Sequence, residues 1–383
     1  MMQTTTCKRF VTGSLSLITL AVATSVSAFE IEAGDTSASV YGYAKLDATY
    51  DWGDIKPGSS GLGNSIGFAN LAVGDEATSS GHTAMHAWQS RLGVRTSTPS
   101  AQGDLVTVVE GDFYGNGGGG FRLRHAYGSW NGITAGQLWT NFGSFVADIP
   151  TLDFTGQIGR AGVNRQAQIR YSVGDVHVAL EAPNGAVSGT SYLGEGSERR
   201  NSLPDLTLRY ESGMGNINYA AGALLRQVAF DDGERDDAAT GWGLFAGGNV
   251  EVVQGTTLRG LVAGGDGIGA YLNNSPAPAA YRDGDQLESL FAWGGTVGIS
   301  QQVGPGSVNL AYSYASADWD DAQAAGADVA AQDKARQLIH LNYLWSPAQR
   351  ISYGVELAHV ERKTVAGDSG DAWRLQGSVT YNF

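Results

Sequence analysis

The chain has 383 residues, with 24 basic and 38 acidic side chains and a formal net charge of −14. This acidic balance argues against nucleic-acid binding, because a nucleic-acid backbone needs a basic protein surface. The composition also argues against disorder, since 55 glycines accompany 9 Trp, 16 Tyr and 12 Phe, and disordered chains contain few aromatic residues.

Residues 1–28 have the composition of a secretory signal peptide. A basic pair precedes an apolar core at residues 11–22, and small residues up to Ala28 form a cleavage site. The apolar core is too short for a membrane anchor. The only cysteine, Cys7, lies inside this segment, so we expect no disulfide in the mature chain. We predict that residues 29–383 form one domain.

About sixteen segments of the remaining chain have the length and alternation of membrane-spanning β-strands. A strand of about ten residues crosses a bilayer when it is tilted, and no apolar run outside the signal approaches the roughly 18 residues of a spanning helix. The segments begin near Val40, Trp88, Leu105, Phe121, Ile133, Ala167, Val176, Leu206, Ile217, Trp242, Leu258, Phe291, Val308, Ile339, Ile351 and Trp373. Each segment alone is a weak signal, because soluble sheets also alternate.

Long and short connections alternate along this series of strands. The long connection 51–85 is followed by the short turn 99–102, and the long connection 140–164 by the short turn 174–175. Outer-membrane barrels have long extracellular loops and short periplasmic turns. We therefore predict an all-β fold, a transmembrane antiparallel β-barrel of about 16 strands. The alternative is a soluble β-sandwich, which does not require this alternation.

The last strand, residues 373–383, indicates the compartment. One of its faces suits lipid and the other suits water, and it ends on the aromatic Phe383. The lipid-facing side carries Trp373, Leu375, Gly377, Val379, Tyr381 and Phe383. This pattern is typical of the closing strand of a barrel in the outer membrane of a Gram-negative cell, so we predict a multi-pass pore protein in that membrane.

Charged residues in the middle of strands should face the barrel interior, because a basic side chain on the lipid face costs about 2–4 kcal/mol near the membrane midplane. Alternation predicts inward arginines on strands two, four, six, eight and sixteen, facing inward carboxylates on strand three. These residues are Arg91, Arg95, Arg122, Arg124, Arg170, Arg209 and Arg374, with Glu110 and Asp112. On strand four it puts Tyr127 outside. The arginines either bind anions or only pair with acids and brace the wall.

The connection 139–164 carries Phe142, Phe145 and Phe154, which are unusual on a purely solvated loop. A loop folded back into the barrel would bury these rings and narrow the lumen. We therefore expect residues 139–164 to form a constriction loop. The alternative is a loop packed on a neighbouring subunit.

Four sequence runs together resemble the core signature of DcaP-like outer-membrane porins. They are Arg122-Leu-Arg-His-Ala-Tyr-Gly128, Ala135-Gly-Gln-Leu-Trp-Thr140, Asp153-Phe154 and Arg165-Gln-Ala-Gln-Ile-Arg-Tyr171. The resemblance is close over residues 109–171 and elsewhere concerns layout more than identity. It implies a homotrimer of barrels and a preference for organic anions such as dicarboxylates, with the third long loop as constriction.

On this resemblance, Arg122, Arg124, Arg165 and Arg170 are the first candidates for contact with anionic solutes. Arg91, Arg95 and Arg160 follow, and Glu110 and Asp112 complete the expected pore lining. Some members of the family carry a periplasmic helical extension before the barrel. Here only residues 29–39 precede the first strand, so we expect that extension to be absent.

Other functions remain open at this stage. A non-selective general porin is the nearest alternative, and an outer-membrane hydrolase built on His340 and Glu356 is more remote, because no nucleophile-elbow motif occurs. We expect no enzyme activity, no cofactor and no metal site, since the histidines lack metal-ligand spacing.

The acidic run 231–237 is either a solvated loop or a cation bridge to lipopolysaccharide. A surface adhesin anchored by its barrel is a third possibility.

Overall fold

The computed structural model describes residues 29–183, 192–193, 200, 202–283 and 285–383. The expected signal segment, residues 1–28, lies outside them. The described chain forms a closed antiparallel β-barrel of 16 strands, so the predicted fold class is confirmed. No helix in the described part of the chain has the length and apolar character needed to cross a membrane.

The strands and helices are numbered here in chain order. The strands are β1 (Phe29–Ala33), β2 (Thr36–Gly53), β3 (His82–His86), β4 (Arg91–Thr98), β5 (Leu105–Gly115), β6 (Gly120–Trp130), β7 (Ile133–Trp139), β8 (Arg165–Val173), β9 (Val176–Glu181), β10 (Tyr192–Leu193), β11 (Asp205–Met214), β12 (Ile217–Asp231), β13 (Asp236–Val253), β14 (Thr256–Asp266), β15 (Ala280–Asp283), β16 (Gln286–Ser289), β17 (Phe291–Val303), β18 (Gly306–Ala317), β19 (Asp333–Ala348), β20 (Ile351–Thr364) and β21 (Ser369–Asn382). One α-helix, α1 (Asp320–Ala324), and two short 3-10 helices, Phe68–Asn70 and Gly269–Tyr271, lie in connections.

The barrel closes where β2 pairs with β21, the last strand. Strands β3 and β4 both pair with β2, so together they are one barrel strand, interrupted at residues 87–90. Strand β1 folds back on β2 as a hairpin. Strands β10, β15 and β16 form a separate small sheet. The other strands pair with their sequence neighbours, which leaves no free edge around the wall.

The two faces of the wall differ as a membrane requires. On β19 the outward side chains of Ile339 and Leu341 are exposed, whereas the alternate side chains of Leu338 and His340 are fully buried. The same contrast recurs on β17, where Val297 is 58% exposed and Thr296 is 6% exposed. A belt of exposed apolar side chains faces hydrocarbon, and the interior is mixed and polar.

Replacing the outward Leu341 by arginine should destabilise the barrel by about 2–4 kcal/mol, because a guanidinium near the bilayer midplane loses its hydration. The free energy of unfolding in urea, measured in lipid vesicles, checks this. The matched control is V303R, at the periplasmic end of β17, where the cost falls to about 0–1 kcal/mol. Equal costs at the two positions would contradict the assigned depth.

Three long connections pack inside the barrel and fill part of it. Connection 54–81 buries Ile55, Leu62 and Phe68 against the inner side chains of β18 to β21. Connection 267–290 buries Ile268, Tyr271 and Leu272 on the opposite side, together with Phe142 of connection 140–164. The hydrophobic core therefore lies in the lumen and is built by loops, so the open passage is confined to one side of the barrel.

Candidate functional site

A cavity of about 620 Å³ lies inside the barrel, between connection 140–164 and wall strands from the N-terminal part of the chain. It is lined by Tyr41, Arg91, Arg95, Val108, Glu110, His125, Tyr127, Leu138, Trp139, Phe145, Arg170 and Arg209. Four guanidinium groups thus face a single carboxylate. Guanidinium groups are able to bind carboxylates through two parallel hydrogen bonds.

Three arginines beside the cavity are paired with acids of β5. Arg122 binds Asp112 through two hydrogen bonds, of 2.7 and 3.1 Å. Arg124 donates to Glu110 and to Asp112, each at 2.8 Å, and its side chain is almost completely buried. Arg91 lies 3.4 Å from Glu110. These five groups match the interpretation in which inward arginines brace the wall.

Three other arginines have no carboxylate within 4.0 Å among the described residues. They are Arg95, Arg165 and Arg170. Arg165 lies over the Trp139 ring at 4.8 Å from its centroid. Arg170 donates to the Trp139 carbonyl oxygen at 2.6 Å and to the Gln168 side chain at 3.0 Å. The contacts that hold Arg165 and Arg170 in place are thus made by neutral groups, so no carboxylate at contact distance among the described residues cancels their charge.

Arg160 is paired with an acid of its own connection. Its guanidinium lies 2.7 Å from Asp148, within connection 140–164, and 5.4 Å from the centre of the Phe145 ring. Burial raises the pKa of the Asp148 carboxyl, and the neighbouring Arg160 opposes that rise. Arg160 does not line the cavity. Its pairing indicates that it stabilises the loop that bounds the passage.

Aromatic residues that the sequence analysis did not select form much of the cavity wall. The Tyr41 hydroxyl donates to Glu110 at 3.1 Å, and Trp139 packs edge-on against His125 and Phe145. Trp139 also lies beneath two guanidinium groups, those of Arg124 and Arg165. In the sequence, Trp139 lies between the inward arginines of β6 and the arginines of β8, and this position could have identified it as a lining residue.

The outward assignment of Tyr127 was wrong, and a β-bulge is the reason. In the β5–β6 ladder Glu110 pairs with His125, but the next residue, Gly111, pairs with Leu123, so Arg124 is an extra residue. A bulge changes which side chains face inward beyond it. Tyr127 therefore lies opposite the inward-facing Val108 and lines the cavity.

Connection 140–164 crosses the lumen and is held by the far wall. The Glu356 carboxylate on β20 accepts hydrogen bonds from the backbone N–H groups of Leu152 and Asp153, at 2.9 and 2.8 Å. On β19, the Asn342 amide donates to Glu356 and to the Pro150 carbonyl oxygen, both at 2.8 Å. These bonds fix the middle of the loop against strands far from its two ends.

A buried charge cluster surrounds this attachment. Arg374 donates to Asp51 at 2.7 and 2.8 Å and lies 3.6 Å from Asp153. The His340 Nε2 atom lies 3.9 Å from Asp153. His340 and Glu356 thus belong to one cluster, as a hydrolase would need, but both are buried beneath the loop. The Glu356 carboxylate already accepts hydrogen bonds from the loop backbone. The arrangement anchors a loop and offers a substrate no access.

The acidic run 231–237 is engaged with arginines. Asp232 lies 3.0 Å from Arg235, and Asp231 and Asp236 both lie within 3.4 Å of Arg200. Within the described ranges, no group of three or more His, Cys, Asp or Glu side chains is arranged to hold a metal ion. The loop charges are therefore at least partly neutralised within the protein.

A closed 16-strand barrel with an apolar outer belt and a charged interior cavity defines an outer-membrane porin of Gram-negative bacteria. A model of the DcaP outer membrane protein family matches residues 15–259. The chain belongs to that family, as the sequence motifs predicted. No curated protein matches it.

Solved structures agree on the fold. The outer membrane channel DcaP of Acinetobacter baumannii is 24% identical, with a TM-score of 0.77 over 93% of this chain and 99% of that one. An anion-selective porin from Comamonas acidovorans is 15% identical, with a TM-score of 0.56 over 91% of this chain and 100% of the other. A trimer form of OmpT from Vibrio cholerae is 12% identical, with a TM-score of 0.53 over 91% and 99%.

Proposed function

We propose that this porin is a passive diffusion channel that prefers small organic anions such as dicarboxylates. The observation that carries the proposal is the excess of positive charge at the cavity, where Arg95 and Arg170 lie without a carboxylate partner among the described residues. Arg165 adds a third such charge beside Trp139. A passage with this charge excess concentrates anions and repels cations.

The proposal includes connection 139–164 as the constriction. Its side chains Phe145 and Trp139 border the cavity, and its middle is fixed to the opposite wall by Glu356. A fixed loop of this kind sets the width through which a solute passes. Arg165 and Arg170 beside it are half-buried, and a channel requires sites that release what they bind.

The proposal also includes a homotrimer in contact with outer-membrane lipid and lipopolysaccharide. The apolar outer belt supports the lipid contact, and the trimer form of the Vibrio cholerae OmpT supports the assembly by likeness of fold. No feature of the described residues favours an enzyme or an adhesin over a channel.

Planar-bilayer recording of the purified protein tests these statements together. In a KCl gradient, we expect a reversal potential of the sign that chloride permeation gives, and we expect each inserted unit to close in three steps. Added succinate should reduce chloride current because it competes for the arginines. A cation-selective reversal potential would remove the anion preference and leave a general porin, and single-step closure would remove the trimer.

A further inference from the structure

Gln137 is a polar side chain on the lipid-facing side of the wall, where polar groups are costly. It pairs across the β6–β7 ladder with Ala126, which also faces outward, and across the β7–β8 ladder with Ala167. Its side-chain nitrogen donates to the backbone carbonyl oxygens of Leu123 and Arg124, at 3.3 and 3.2 Å. These two carbonyls flank the bulge in β6.

The neighbouring backbone explains why the carbonyls need this donor. The β6–β7 ladder runs from Trp130 and Ile133 to Ala126 and Gln137, and it contains no pair beyond them. At that point β6 and β7 separate, although β7 continues to Trp139 in its pairing with β8. Carbonyls left unpaired at a membrane-facing gap cost several kcal/mol unless a side chain satisfies them.

We propose that Gln137 is a positioning residue that holds the bulge at Arg124 and thereby determines which β6 side chains face the passage. With the bulge, Arg124, His125 and Tyr127 all point inward. Without it, simple alternation beyond Leu123 would turn His125 and Tyr127 toward lipid. The role of Gln137 in selectivity rests on the proposed anion preference, but its control of strand register does not.

Single cysteines report the register directly, since the mature chain is expected to have none of its own. A charged, water-soluble methanethiosulfonate should modify Y127C, which faces the passage, much faster than A126C, which faces lipid. In the Q137M background, where the side chain keeps its length but loses its N–H groups, the ratio of the two rates should fall by about tenfold, the factor expected from losing one or two hydrogen bonds.

The matched control is Q337M, because Gln337 is another outward-facing glutamine, bonded to Glu361 on the distant β20. It should leave both the cysteine ratio and the ion selectivity unchanged. If Q137M yields no barrel, Q137N is read instead, since its shorter amide reaches the carbonyls less well. A native cysteine ratio in whichever variant folds would overturn the proposal.

Selectivity separates this proposal from the proposed function. Q137M should reduce the chloride-to-potassium permeability ratio by about threefold, a smaller effect than direct removal of a charge. If Arg165 and Arg170 control selectivity while Q137M changes neither selectivity nor the cysteine ratio, only the positioning role fails. If the arginines have no effect, the anion preference fails, and the cysteine ratio still reports on Gln137.

Discussion

Replacing Arg165 and Arg170 together by glutamine is expected to lower the chloride-to-potassium permeability ratio by roughly ten- to a hundredfold. Arg170 lines the cavity and Arg165 lies beside it over the Trp139 ring, and neither has a carboxylate within 4.0 Å among the described residues. Removing one unit charge a few ångströms from a permeating ion changes its energy by about 1 kcal/mol in water-like surroundings, and by more where water is scarce. Reversal potentials in a salt gradient measure the change.

Glutamine removes the charge and keeps a polar side chain at each position, so the barrel should remain folded. R235Q is the matched control, because Arg235 is exposed in the 232–235 turn outside the barrel and the substitution makes the same change in charge. A double variant as anion-selective as the wild type would mean that these arginines serve the wall alone.

Replacing Glu356 by alanine is expected to release the middle of connection 140–164 and to widen the passage. The substitution leaves the backbone N–H groups of Leu152 and Asp153 and the amide of Asn342 without their acceptor. Each buried donor left unsatisfied costs about 1–3 kcal/mol, so the three donors together predict a loss of about 3–9 kcal/mol in the free energy of unfolding. Urea titration in lipid vesicles gives that value.

Single-channel conductance should rise in the same variant, because a loop no longer fixed at its middle blocks less of the lumen. E361A is the control on the same strand: it removes an identical side chain that bonds to Gln337 and does not touch the loop. Unchanged conductance in E356A, together with unchanged stability, would show that other contacts hold the loop. The most direct of those is the hydrogen bond from Asn342 to the Pro150 carbonyl oxygen.

The barrel was predictable from sequence because lipid imposes a simple rule on every strand. Outward positions such as Leu341 and Leu375 must be apolar, and inward positions are free, so alternation and loop lengths were sufficient to count 16 strands. The family was recognised separately, from the resemblance of sequence motifs that lie on β6, β7 and β8 and in connection 140–164.

The same rule failed where the backbone departs from regular pairing. The extra residue at Arg124 changes the inward face of β6, and no local property of the sequence marks it; hence Tyr127 was assigned to the wrong side. The alternation of side chains also could not predict which acids the arginines contact. It identifies inward side chains but not which of them meet. It could therefore not separate Arg122, which pairs with Asp112, from Arg170, which has no carboxylate partner among the described residues.

The burial of connection 54–81 was not foreseen either. Its apolar residues Ile55, Leu62 and Phe68 are spread over a glycine-rich stretch without a period, and they gain meaning only beside the inner face of strands about 250–300 residues later in the chain. Contacts at such separation depend on barrel closure, which a strand-by-strand interpretation does not include.

The attachment of Leu152 to Glu356 joins positions 204 residues apart in the chain. Glu356 lies on β20, the penultimate strand, so its acceptor oxygens are not in place until almost the entire chain has entered the membrane. Contacts between distant positions form late because the intervening chain must first be ordered. The wall strands of this protein should therefore form before the loop is attached to β20. The passage should be wider in that intermediate and should reach its final width late in assembly.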